Sequence, residues 1–82
     1  MALRPVKIVW RRFKDRWGQA RPDLWKITLD PRMDDRTLMD IACHETIHIL
    51  APYLDEEVVN DLGIHIADVL ARIGFVRAHA DD

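Results

Sequence analysis

Leu38-Met39-Asp40-Ile41-Ala42-Cys43-His44-Glu45-Thr46-Ile47-His48-Ile49-Leu50 is the stretch on which both the fold and the chemistry turn. No Gly or Pro interrupts it, Asp34 or Asp35 ahead of it is a suitable N-cap, and Ala51-Pro52 stops it, so a helix is expected over about 35–50. On that helix Leu38, Ala42 and Ile49 fall on one side and Met39, Cys43 and Leu50 on another, and a helix apolar on most sides is a buried one. His44 and His48, four residues apart, stand one above the other and can grip a single metal ion. Glu45 sits one step round the turn, from where it can reach a water at an open metal position. Two His and a Glu on a buried helix need partners, because an unsatisfied polar group there costs about 1–3 kcal/mol. A metal satisfies both imidazoles at once; backbone carbonyls are the plainer alternative.

The rest of the chain sets limits on this reading. Its 82 residues suit a single small domain, a size at which a metal, a disulfide or a partner subunit commonly supports the fold. Cys43 is the only cysteine, which rules out an intramolecular disulfide and fits a reducing compartment. Met1 to Arg4 lacks the apolar run of a signal peptide, and no stretch has the 18 or so apolar residues of a membrane span, so a soluble, cytoplasmic chain is expected. The net charge of −2 hides an asymmetry. Residues 1–30 carry eight Lys and Arg against three Asp, a net of +5, whereas residues 31–82 carry four Arg against eleven Asp and Glu, a net of −7. The basic charges are interleaved with apolar positions rather than clustered, which suits a solvated strand face better than a nucleic-acid footprint.

Two strands are expected before the motif. Val6, Ile8 and Trp10 alternate with Lys7, Val9 and Arg11, giving a strand over about 6–12; Trp25, Ile27 and Leu29 alternate with Lys26, Thr28 and Asp30, giving another over about 24–30, antiparallel to the first. Lys14 to Asp23, with Gly18 and Pro22, reads as a loop in which Trp17 folds back onto the core. If the second strand is an edge, it can pair with an extended peptide. Beyond the motif, Asp55 caps a second helix over about 55–73, antiparallel to the first, with Gly74 as its C′ residue and Gly63 allowing close approach of a neighbouring backbone. Its apolar stripe reads as Val58, Val59, Leu62, Ile66, Val69 and Ile73. The tail over 75–82, with His79, is expected to fray.

A catalytic zinc takes three protein ligands and a water, so a third ligand is sought on the second helix. The height about one turn into that helix points to Glu57 or Asp61, with His65 one further turn along; the three, spaced by four, form one ridge on which His65 lies nearest the apolar stripe and Glu57 nearest the helix start, while Glu56 falls on a different side. On spacing alone the three candidates stay open.

The chain resembles the small phage-type zinc metallopeptidases, with a tryptophan-containing hairpin, a Leu-Asp or Met-Asp helix bearing H-E-x-x-H, and an Asp-Glu-Glu helix ending near Leu-Gly. The corresponding residues are Trp10, Trp25, Leu38-Met39-Asp40, His44-Glu45-Thr46-Ile47-His48, Asp55-Glu56-Glu57-Val58-Val59 and Arg72-Ile73-Gly74-Phe75. The resemblance implies a minimal zincin in which His44 and His48 are ligands and Glu45 is the base. Height along the helix, with the acidic residue that the resemblance implies there, selects Glu57 as the expected third ligand. A weaker resemblance to SprT-like proteases, which use a downstream His, keeps His65 in view. The expectation is an α+β domain, a small antiparallel sheet of two or three strands on two antiparallel helices, hydrolysing peptides or proteins with zinc. The competing expectation is a zinc-stapled, non-catalytic module for a larger assembly or nucleic acid. Either reading is compatible with oligomers.

Overall fold

A computed structural model describes residues 3–75. In chain order the elements are β1 (Lys7–Trp10), β2 (Gly18–Arg21), a 3-10 turn (Pro22–Leu24), β3 (Lys26–Leu29), α1 (Asp35–Leu50) and α2 (Glu56–Arg72). This is an α+β fold with a three-stranded sheet and two helices. No helix among the described residues is long and apolar enough to cross a membrane. The tail at 76–82, with His79, lies outside the described residues.

The sheet differs from the expected antiparallel arrangement: it is mixed, in the order β1-β3-β2. β3 runs parallel to β1, with Ile8 opposite Ile27 and Trp10 opposite Leu29, and antiparallel to β2, with Ala20 opposite Ile27. The cause is the extra strand. Gly18-Gln19-Ala20-Arg21 has no β-branched or aromatic residue to announce it, yet it pairs with β3 and reverses the chain between β1 and β3. The 3-10 turn makes the second reversal. It ends at Trp25, which takes the left-handed conformation at φ 52°, unusual for a residue with a Cβ. The Trp25 indole N–H donates to the Arg4 carbonyl at 3.0 Å, and the Arg4 guanidinium lies over the ring at 4.7 Å.

β3 is the central strand, and Ile27, Thr28 and Leu29 are all buried in it. Ile27 and Leu29 join Met33, Leu38 and Ile49 in the core, with Val6, Ala20, Trp25, Ile41 and Ala42 packed around them. α1 packs on β2 and β3 and α2 packs on α1, so Ile8 and Trp10 of β1 remain exposed despite their strand-like alternation. Trp17 is also exposed rather than folded over the core.

Asp30 does more than end a strand. Its carboxylate is fully buried and accepts from the Phe13 N–H at 2.9 Å, the Arg32 N–H at 2.9 Å and the Arg32 guanidinium. Arg32 also donates to the Phe13 carbonyl at 2.7 Å, and the Asp30 N–H donates to the Trp17 carbonyl at 2.8 Å. The β1–β2 connection is thereby fastened to the end of β3. The paired guanidinium holds the Asp30 carboxyl well below the usual carboxylate range, with the Phe13 and Arg32 N–H groups adding to it and burial opposing it.

The helices form where the sequence places them, and their caps do too. The Asp34 carboxylate accepts from the Thr37 N–H at 2.7 Å, and that of Asp55 from the Val58 N–H at 3.0 Å. α2 ends in a Schellman arrangement: the Phe75 N–H donates to the Leu70 carbonyl and the Gly74 N–H to the Ala71 carbonyl, with Gly74 at φ 98°.

Candidate metal centre

Three elements converge on the H-E-x-x-H segment. α1 supplies His44 and His48 one turn apart, both largely sheltered, with ring centroids 4.8 Å apart in an edge-to-face arrangement. Their Nε2 atoms lie 3.2 Å from each other. Two nitrogens bound to one tetrahedral zinc at about 2.0–2.1 Å are roughly 3.3 Å apart, so the imidazoles already stand at the separation of a ligand pair.

α2 supplies the third group, and it is Glu56. Its Oε1 lies 2.7 Å from His44 Nε2 and its Oε2 3.2 Å from His48 Nε2. His44, His48 and Glu56 lie close enough together to hold a metal ion. Glu57, the third ligand expected from the sequence, is exposed and is not part of this group. The reason lies in which face of α2 is buried. Val59, Gly63 and Ala67 are its buried residues, spaced by four, and Glu56 continues that ridge one turn earlier. Val58, Leu62, Ile66, Val69 and Ile73, read from the sequence as the apolar stripe, are all exposed in the structure, so that stripe does not mark the inward face, and the height that selected Glu57 does not distinguish it from its neighbour Glu56. The ridge of Glu57, Asp61 and His65 therefore faces solvent, and His65 Nδ1 is 2.8 Å from the Asp61 carbonyl of its own helix.

Gly63 fixes the height of α2 against α1. A Cβ there would lie 3.3 Å from both Cα and N of His44, tighter than ordinary contact, so the helices meet backbone to backbone at His44. Gly18 does the same for the sheet. A Cβ there would lie 2.7 Å from Ile41 Cγ2 and 3.2 Å from Glu45 Cγ, so β2 rests directly on α1 beside Glu45.

Between β2 and the helices lies an open pocket of about 430 Å³, lined by Arg16, Gly18, Gln19 and Ala20 on the sheet side and by His44, Glu45, His48 and Glu56 on the helix side. Glu45 is a neighbour of the group that could hold a metal ion, not a member of it. Burial pushes its carboxyl above the ordinary carboxylate range; His44, His48 and Arg16 oppose that rise and Glu56 adds to it. Cys43 faces away from this pocket, and burial, with Asp40 adding, pushes its thiol up.

No family model, curated protein or solved structure matches the chain. The functional reading therefore rests on the site itself.

Proposed function

We propose that the chain is a zinc-dependent peptide hydrolase, a minimal zincin in which His44, His48 and Glu56 hold the metal. The observation that carries this is the convergence of both Nε2 atoms and the Glu56 carboxylate on one point at the wall of an open pocket. Two imidazoles and a carboxylate form a donor set that suits zinc. Zinc held by these residues would supply Lewis-acid and water-activating chemistry at the pocket wall. Glu45, one residue from His44 and lining the same pocket, takes the proton from the attacking water. Glu56 approaches from the exposed rim, so its carboxylate can move to its coordinating position without disturbing the core.

A peptide is the substrate class that the surroundings favour. β2 is an outer strand of the sheet, no other described strand pairs with its free side, and Gly18, Gln19 and Ala20 line the pocket. An extended chain that pairs with β2 passes alongside Glu45 and the two imidazoles.

The small core supports a second role for the same metal. Only seven apolar side chains among the described residues are buried, so zinc joining α1 to α2 also staples the fold. Glu45→Gln separates the two roles. The variant is expected to fold and keep its zinc while losing at least about a hundredfold in cleavage of a broad peptide library, the lower end for removal of a general base. A zinc-loaded Glu45→Gln that cleaves as fast as the parent sinks the mechanism, and a parent that leaves the whole library intact favours the staple alone.

A further inference from the structure

α2 is apolar on two faces, and the structure covers only one of them. Val59, Gly63 and Ala67 pack inward, but Val58, Leu62, Ile66, Val69 and Ile73 are 41–65 % exposed. Their spacing of four, four, three and four makes a continuous seam along the helix, as in helices that pair with a partner helix. The seam widens onto α1, where an apolar groove runs between Ile47 and Leu50 on one side and Ile66 on the other, and Leu50 is 61 % exposed.

We propose that a second copy of this chain docks on this face, with the two α2 helices antiparallel about a two-fold axis beside Ile66.

Area, register and charge select this occupant. The six side chains leave on the order of 500 Å² of apolar surface open, which matches the apolar share of an interface of about 800 Å² per partner. Such a patch is at the upper end of what single soluble chains expose. The seam also pairs with itself when reversed: with the axis between positions 65 and 66, Val58 meets Ile73 of the partner subunit and Leu62 meets Val69 of the partner subunit. A two-fold contact requires this self-complementarity. The antiparallel direction follows from charge. A parallel pairing aligns the helix dipoles side by side, whereas the reversed pairing opposes them and brings Arg72 to the side of Asp61 in the other copy.

The metal centre lies on the opposite side of the α1–α2 contact, so association and zinc binding can be read independently. Sedimentation equilibrium of the zinc-loaded chain at about 100 µM is expected to show a dimer. Leu62→Glu is expected to weaken it at least a hundredfold with unchanged helix content and zinc stoichiometry; if that variant does not fold, Ile73→Glu, at the most exposed position of the seam, makes the same test. Register is read by oxidation in a Cys43→Ala background. Ile66→Cys next to the axis is expected to form a covalent dimer, and Val58→Cys, about 20 Å from its own copy, is expected not to. A parent that stays monomeric at this concentration overturns the proposal, as does a folded Leu62→Glu that dimerises like the parent. Cross-linking through Val58→Cys but not Ile66→Cys overturns the antiparallel register.

Discussion

Adding a single methyl group at Gly63 tests the helix contact that positions the whole site. Two effects compete in Gly63→Ala. In mid-helix, Ala is favoured over Gly by about 1 kcal/mol. Against that, the new Cβ would sit 3.3 Å from His44 Cα and N and 3.6 Å from His44 Cβ. Two of these atoms belong to the α1 backbone and cannot swing aside, so the helices must part by a few tenths of an ångström, and overpacking of this kind costs about 1–3 kcal/mol. The expected net change is a loss of roughly 0–2 kcal/mol in urea unfolding of the metal-free protein, with Gly63→Val losing more because it adds two further methyl groups and a β-branch. The site should register the same shift. Glu56 is two turns before Gly63 on the same ridge, so moving α2 off His44 draws the carboxylate away from the imidazoles. Zinc affinity, measured by competition with a chromophoric chelator, is expected to fall about tenfold, the size of effect seen when a ligand's support is disturbed. A Gly63→Ala protein that gains the full 1 kcal/mol and binds zinc like the parent would falsify the contact.

Removing the metal should matter for stability, because a ligand that binds only the folded chain adds RT ln(1 + [Zn]/Kd): a chelator is expected to lower the melting temperature by more than about 5 °C, and an unchanged melting curve in protein shown to have lost its zinc would contradict this. Asp30 should set an acid limb. Its folded carboxyl is held below the ordinary range by Arg32, so its contribution is present above about pH 4 and is lost as pH falls through the depressed value. In metal-free protein, Asp30→Asn is expected to be less stable at pH 7 and to lose less on acidification from about pH 4 to 2; an equally steep limb in both proteins assigns it to other carboxylates.

The helical half of the fold was legible in the sequence because its signals are local. Caps at Asp34 and Asp55, a Gly after the last turn of α2 and unbroken helical spacing each act within a few residues, and each appears in the structure where expected. The close approach at Gly63 was legible too, since a mid-helix Gly is costly unless a backbone lies against it. The sheet was less legible. β2 is held by its pairing with β3 and by α1 packed on Gly18, neither of which leaves a pattern in Gly-Gln-Ala-Arg. The Asp30–Arg32–Phe13 network is long-range and equally silent.

The place of Glu56 beside the two imidazoles was not legible for a related reason. α2 has apolar residues around half its circumference, and periodicity finds the large ones, Val58, Leu62, Ile66, Val69 and Ile73. What packs inward is a seam of smaller residues, Val59, Gly63 and Ala67, because the helices come too close for larger ones. The signal that could have found Glu56 was Gly63 itself: a glycine read as the point of closest approach fixes the inward face, and Glu56 is seven residues, or about two turns, before it on that face.

The most direct test is a zinc titration of metal-stripped parent, His44→Ala, Glu56→Ala and Glu57→Ala. The account predicts one zinc per parent chain with a Kd at or below about 1 µM. It predicts no stoichiometric binding in His44→Ala, at least a hundredfold weakening in Glu56→Ala, and a change within about threefold in the exposed Glu57→Ala. A parent that takes up no zinc, or a His44→Ala that binds it as well as the parent, would contradict the metal centre; loss in Glu57→Ala with Glu56→Ala unaffected would contradict the inward face assigned to α2.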